Sequence, residues 1–375
     1  QDIVVLNFSD HFIEKLADSL LNDYLPAHVD FRGLTLVFGG KRPAIFLKRE
    51  LARRIKTAFV PPRMLTMDEL IRELASRETA MTPLSDLDAA FELHAIARRE
   101  TPEILAGRES FARFWPWARE ILGFVDQLDL EDVQEQALLN IRAQAEIGYD
   151  VPEAVNRLLV QMATLRRSFH RFLETNHYSR RGWLYRKAAD AVGTGASAEK
   201  IWFCGFFYWH KTEERIVKHL FETGQAVLLF QGDERRWPSL KRQASHLGVS
   251  IHEGPRVQEP QFNLKLYRTS DGHGEAAVVR EILKTLSKEE RSRSVVVVPD
   301  ARHLSPLLSE IAGIAEEFNV SMGYPLKRSS LYTLLTFIFE AQLSRKDDLY
   351  YARDYLKVLQ HPFIKNLSFG HDPAA

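Results

Sequence analysis

At 375 residues the chain is long enough for roughly two or three domains, and a hydrophobic content of 45% supports real cores and excludes global disorder. Fifty acidic and fifty basic side chains cancel, so bulk charge does not mark a nucleic-acid binder, although a local basic stripe is compatible with it. The single cysteine, Cys204, excludes an internal disulfide and a cysteine metal framework, which suits a reducing, cytoplasmic compartment. No apolar run approaches the roughly 18 residues that span a bilayer, no signal peptide is visible, and a start at Gln1 rather than Met reads as a trimmed piece of something longer.

Residues 2–6 (DIVVL) predict a buried strand, after which Ser9 or Asp10 caps a helix with the apolar face Phe12, Ile13, Leu16, Leu20 and Tyr24. Residues 34–38 (LTLVF) predict a second strand. Gly39-Gly40 then opens a basic amphipathic helix over about 43–56, with Ile45, Phe46, Leu51 and Ile55 as its apolar positions. Pro61-Pro62 leads to Met64-Leu65-Thr66, and Thr66 caps the helix MDELIRELA, whose first turn carries Asp68 and Glu69. From 82 to 192 the periodicity is helical throughout. Pro116 is expected to start or kink a helix, and Phe111, Phe114, Trp115 and Trp117 read as core rather than as base-stacking surface. Gly193-Thr-Gly-Ala-Ser is a flexible joint. Strand 201–205, helix 212–222, strand 226–230 and helix 239–247 follow. Then come strand 264–268, helix 274–287, the four-valine strand 295–300, helix 303–317, a short strand with a turn at 319–326, and a final helical region. Strands alternating with helices predict an α/β fold, a parallel sheet with helices on both faces, interrupted by a long helical insertion.

The chemistry-bearing positions are mostly conspicuous by what stands in them. A phosphate-cradling loop between strand and helix needs glycines, a lysine and a Ser/Thr. After the first strand the chain offers NFSDHFIEK, which has Ser9 and Lys15 but no glycine, and whose Asp10 repels phosphate. Phe38-Gly39-Gly40-Lys41 has glycines and a lysine, but Pro43 and Ala44 replace the hydroxyl residue, so it reads as a tight turn. A nucleotide-driven motor carries an Asp-Glu pair for magnesium where this chain has Gly205, Phe206 and Phe207. Asp233 and Glu234 in QGDERRW read as a strand-end turn or cap, and Glu213 and Glu214 as helix-start carboxylates. Lys41, Arg42, Lys48, Arg49, Arg53 and Arg54 form a basic segment in which Arg42, Arg49 and Arg53 fall near one helix face. That stripe is either a phosphate contact for single-stranded DNA or a solvated charged face. Arg166, Arg167 and Arg171 with His170 make a second stripe, read mainly as solvated, and Arg180-Arg181 lies beside Trp183 and Tyr185. No histidine or cysteine spacing suggests a metal site, no catalytic motif is present, and Cys204 reads as a buried strand residue.

The segments VFGGKRPAIFLKRELARRI, PPRMLTMDEL, IWFCGFFYWHKTEE, GEAAVVREIL, SVVVVPD and NVSMGYPL, in that order, resemble the amino-terminal region of AddB-like proteins, the PD-(D/E)XK nuclease family with an inactivated UvrD/RecB-type helicase module. The likeness covers most of the chain. It implies RecA-like domain 1 in two parts, 1–81 and 193–262, around a helical insertion at 82–192. It further implies the start of RecA-like domain 2 at 263–340 and a helical segment at 341–375 that opens a further insertion. Ser9, Asp10, Lys15, Asp233 and Glu234 become the degenerate nucleotide-site positions. Asp233 matches a γ-phosphate-sensing Gly-Asp that Gln normally follows, where Arg235 and Arg236 stand here. Lys41, Arg42, Arg49, Arg53, Arg180 and Arg181 become candidate DNA contacts.

The implied function is a non-catalytic helicase-like module of a double-strand-break repair helicase-nuclease, in full length an exonuclease. It would bind DNA, single-stranded or at a duplex end, and scaffold a nuclease domain or an AddA-like helicase-nuclease subunit, with no membrane partner. No cofactor is expected in this stretch. ATP and magnesium enter only if the chain is an active or degenerate ATP-dependent helicase subunit. An iron-sulfur cluster enters only with a carboxy-terminal nuclease domain, of which these residues carry neither the PD…(D/E)XK pattern nor the cysteine quartet. A protein-interaction scaffold without DNA binding is the remaining alternative.

Overall fold

The apolar runs on either side of the helical stretch come together in one sheet. The computed structural model describes residues 3–24, 30–77, 79–139, 153–193, 200–254, 262–314, 317–323, 325–369 and 372–373, and the chain divides into two units, 1–260 and 261–375. In the first unit the strands β1 (Ile3–Leu6), β2 (Leu34–Phe38), β3 (Arg63–Thr66), β6 (Lys200–Cys204) and β7 (Ala226–Gln231) pair in the order β1-β7-β6-β2-β3. All four pairings are parallel. The edge strand β3 is an addition to the sequence reading, which took Met64-Leu65 only as the approach to a helix.

Helices cover both faces, as the two-residue alternation of side chains demands. Leu36, Trp202, Cys204, Val227 and Leu229 point to one face. There they pack under Leu16 and Leu20 of α1 (Phe12–Tyr24) and Leu47 and Leu51 of α2 (Arg42–Ile55). Val37, Phe203, Leu228 and Phe230 point to the other. Their cover is α3 (Met67–Ala75), α8 (Arg181–Ala191), α9 (Lys211–Glu222) and α10 (Pro238–Leu247). This is a RecA-like α/β arrangement with a helical insertion. Cys204 sits in the core, as expected, and burial pushes its thiol well above the ordinary range.

The insertion leaves and rejoins the sheet at a parallel two-residue bridge, β4 (Thr82–Pro83) with β5 (Tyr178–Ser179). Between them α4 (Asp86–Glu100), α5 (Phe111–Leu130) and α7 (Glu153–Thr175) surround their own core of Leu93, Phe114, Ile121, Leu165 and Phe169, while Leu138 of the short α6 (Glu135–Leu139) packs with Leu128 and Ala163. Phe111, Trp115 and Trp117 pack against that core, which accounts for the aromatics. Ser85 and Ser110 cap α4 and α5 through their side-chain oxygens. Pro116 lies inside α5 and neither starts nor ends it. Helix α8 belongs to both layers, since Trp183 joins the insertion core and Tyr185, Ala188 and Ala189 join the sheet core.

The second unit contains α11 (Gly272–Thr285), α12 (Lys288–Ser292), α13 (Leu304–Ile311), α14 (Ser330–Leu343), α15 (Ala352–Leu359), α16 (Pro362–Lys365) and the antiparallel pair β8 (Ser368–Phe369) and β9 (Asp372–Pro373). Leu283 of α11 packs with Leu307 and Ile311 of α13 against Val298. The expected strands at 264–268, 295–300 and 319–326 carry no ladder among the described residues, and Val295 and Val297 are each 84% exposed. An apolar β-branched run predicts a strand buried between neighbours, but a strand exists only where a second one offers its hydrogen bonds. Among the described residues, no helix is long and apolar enough to cross a membrane.

Candidate functional site

Parallel pairing brings every loop that follows a strand to one edge. In the ladder Leu6 stands opposite Gln231 and Phe38 opposite Thr66. The segments 7–11, 39–41, 205–210 and 232–237 therefore leave the sheet on the same side, where open α/β sheets bind their ligands.

The loop after β1 is closed on itself. Asp10 turns back to accept the Asn7 N–H at 3.1 Å, and Glu253 accepts the Phe8 N–H at 2.6 Å. The Gln231 side-chain amide, in turn, donates to the carbonyls of Asn7, Phe8 and Asp10 at 3.2, 3.3 and 2.9 Å. Two of the backbone donors that a phosphate would need are thus already held by carboxylates, whose charge repels an anion. Of the remaining expected positions, Ser9 is exposed and Lys15 leans 3.8 Å from Asp18 along its own helix. Phe8 packs on Trp237 with ring centroids 5.0 Å apart, and Phe207 meets Trp237 at 6.0 Å, so an aromatic trio lies over this corner.

β6 ends in a backbone turn at Gly205. Gly205 has φ of 73°, and a Cβ there would lie 2.8 Å from Cζ of Phe12. Both the left-handed conformation and the approach of the Phe12 ring call for glycine. Phe206 is buried against Phe203 and Trp209, and its ring lies 3.9 Å from where a Gly39 Cβ would be. The chain leaves β2 toward β3 and leaves β6 toward β7, so the crevice between β2 and β6 is the switch point of this sheet. Phe206 fills it. Gly39 and Gly40 are not among the glycines with positive φ, so they allow a bend without a left-handed turn.

Asp233 is 2% exposed and fully engaged. It accepts from the Arg235 backbone N–H at 2.9 Å, from the Arg235 guanidinium at 2.8 and 2.5 Å, and from the Glu253 N–H at 3.2 Å. The Arg235 guanidinium and these amides hold its carboxyl far below the usual carboxylate range. Glu234 accepts from the Ile251 N–H at 2.9 Å. Asp233 thus fastens residue 253, whose side chain fastens Phe8, so this carboxylate staples three loops together. Glu213 closes a reciprocal cap on α9 by accepting the His210 N–H at 2.8 Å, and burial pushes its carboxyl up. Among the described residues, no group of three or more His, Cys, Asp or Glu is placed to hold a metal ion.

The basic candidates divide in two. Lys41 is 80% exposed on its side chain and stands 3.6 Å from Glu69 in the first turn of α3. Arg42 and Arg49 are exposed on α2, and Lys48 and Arg49 make no ion pair among the described residues. Arg53 shares that face but grips Glu50 with two bonds of 2.9 and 2.6 Å. By contrast, Arg180 is drawn inward, 2.9 Å from both Asp86 and Asp126, and its side chain is only 12% exposed. Arg181 pairs with Asp68 at 3.2 Å and lies over the Tyr185 ring at 5.1 Å. The second stripe also dissolves, because Arg166 is buried on Asp129 and Arg167 pairs with Glu135 at 2.7 Å. Sequence reasoning misplaced two residues of α2. Ile45 and Phe46, expected in the core, are 51% and 52% exposed, while Leu47 and Leu51 take the buried side.

No protein-family model matches the chain, and no curated protein matches it. ATP with magnesium is expected to leave its thermal unfolding midpoint unchanged. A rise of more than about 2 °C, which roughly 1 kcal/mol of ligand stabilisation gives a domain of this size, would mean that phosphates displace Asp10 and Glu253.

Proposed function

We propose that this chain is a catalytically silent helicase-like module, resembling the amino-terminal region of AddB-like proteins. It binds DNA and scaffolds a nuclease domain or a partner motor in a cytoplasmic break-repair assembly. The observation that supports the reading is the closed corner after β1 and β7, where Asp10 and Glu253 hold the backbone donors of the loop that the resemblance makes a nucleotide site, with Gly205 and Phe206 after β6 in place of an acidic pair. A helicase-like sheet without a working nucleotide site keeps only its binding surfaces. The exposed cationic side chains Lys41 and Arg42, at the edge after β2, and Lys48 and Arg49, further along α2, suit a phosphate backbone.

Fluorescence anisotropy with a labelled oligonucleotide across a salt series tests this. Binding should weaken as salt rises. Replacing Lys48 and Arg49 together by alanine should reduce the slope of log K on log salt by about 1.4, the share of two phosphate contacts on a single strand. Binding that ignores salt, or no binding, would leave a protein scaffold.

A further inference from the structure

The side of α2 that faces water carries more than charge. Ile45 and Phe46 stand side by side at its second turn, each half exposed, while the sheet is covered by Leu47 and Leu51. At 100° per residue Arg49 falls between them one turn on. Arg42 lies one turn before Phe46, Lys48 lies beside Ile45, and Lys56 continues the stripe beyond Arg53. The carboxylate nearest Phe46 on the helix, Glu50, is taken by Arg53 and Arg54. A single exposed phenylalanine is ordinary on a protein surface. One framed by cations, with its neighbouring acid already neutralised, is complementary to an anionic chain that also offers flat apolar faces. An acidic protein segment supplies the charge but not a planar partner at each repeat. Duplex DNA supplies the charge and keeps its base faces inside the stack.

We infer that Phe46 is a base-stacking residue and that the α2 face selects unpaired, single-stranded DNA, with Lys48 and Arg49 holding the flanking phosphates. This rests on the DNA-binding reading above and names the form of DNA that the face takes. Base–aromatic stacking tolerates any sequence, so the selectivity is for strandedness rather than for bases.

The test uses the whole 375-residue chain and an oligonucleotide carrying 2-aminopurine, whose fluorescence falls when it stacks. Phe46→Ala should weaken binding of the single strand by about 5- to 150-fold and abolish the quenching. Phe46→Trp should retain both. Phe46 is half exposed, so the alanine variant should unfold at an unchanged temperature, which separates lost stacking from lost structure. If Lys48→Ala with Arg49→Ala weakens binding while Phe46→Ala binds and quenches like the parent, stacking is overturned and the DNA-binding function stands. If the parent chain shows no salt-dependent DNA binding, both fall.

Discussion

Asp129→Ala is expected to destabilise the first unit by about 3–5 kcal/mol, the cost of stranding a buried charge. Asp129 is 1% exposed and accepts two bonds from Arg166, at 2.9 and 2.6 Å, and one from His170 at 2.8 Å, with Arg186 at 3.8 Å. Arg166 is itself buried, and without Asp129 its guanidinium keeps only the Val133 carbonyl at 2.7 Å. The pair joins α5 to α7, so its loss loosens the insertion where the helices cross. Urea unfolding followed by circular dichroism reads the loss, and the thermal midpoint should fall by about 6–20 °C. A cost under about 1 kcal/mol would show that Arg166 reaches water after all. Replacing both partners by apolar residues, Asp129→Leu with Arg166→Met, should cost less than Asp129→Ala alone, since the buried Arg166 charge is removed with its partner and the part-exposed Arg186 keeps its bond to Gln134.

The second large effect comes from a glycine. Gly182, in the first turn of α8, is pressed against α5. A Cβ there would lie 2.7 Å from the Asp126 carbonyl oxygen and 2.8 Å from both Asp126 Cα and Asp129 Cβ. Two of the three obstacles are backbone atoms, which cannot rotate away. Gly182→Ala should therefore cost about 1–3 kcal/mol or more through forced separation of the two helices. In an unobstructed helix the same change is favourable by about 0.8–1 kcal/mol. Gly123 supplies that control within α5, because a Cβ there meets nothing within 4 Å. Gly123→Ala should raise stability while Gly182→Ala lowers it. Equal signs in the two denaturation curves would refute the close-packing account. Gly205 differs in kind: its obstacle is the Phe12 ring, which can tilt, but its φ of 73° strains any L side chain whatever the space.

The parts of this fold that were legible are those written in local pattern. The runs at 2–6, 34–38, 201–205 and 226–230 read as strands because uninterrupted apolar stretches between turn residues need burial on both faces. Thr66 read as a cap because it stands directly before the helix MDELIRELA with acids in its first turn, and the structure adds the reciprocal bonds with Glu69 at 2.8 and 3.3 Å. What depended on distant neighbours was not legible. Arg180 and Arg166 look like free cations until folding brings Asp86, Asp126 and Asp129 beside them. The segment 295–298 has a strand's composition, but among the described residues no neighbouring strand makes it one. In RPAIFLKREL two apolar stripes compete, Ile45-Phe46 and Leu47-Leu51, and only contact with α1 and the sheet decides that the second faces inward. The missing glycines after β1 were visible in the sequence. The role of Glu253 in sealing that loop was not, since 245 residues separate it from Phe8.

The two-residue bridge between Thr82–Pro83 and Tyr178–Ser179 makes the helical insertion a closed detour of the backbone, with its entrance and exit side by side. Loop-closure entropy grows only slowly with length, so such a lobe can lengthen, shorten or be exchanged over evolutionary time while the strands on either side keep their register. The limit on that drift is α8, which serves both lobe and sheet. New partners can be acquired at the far end of the lobe without disturbing the scaffold from which it grows.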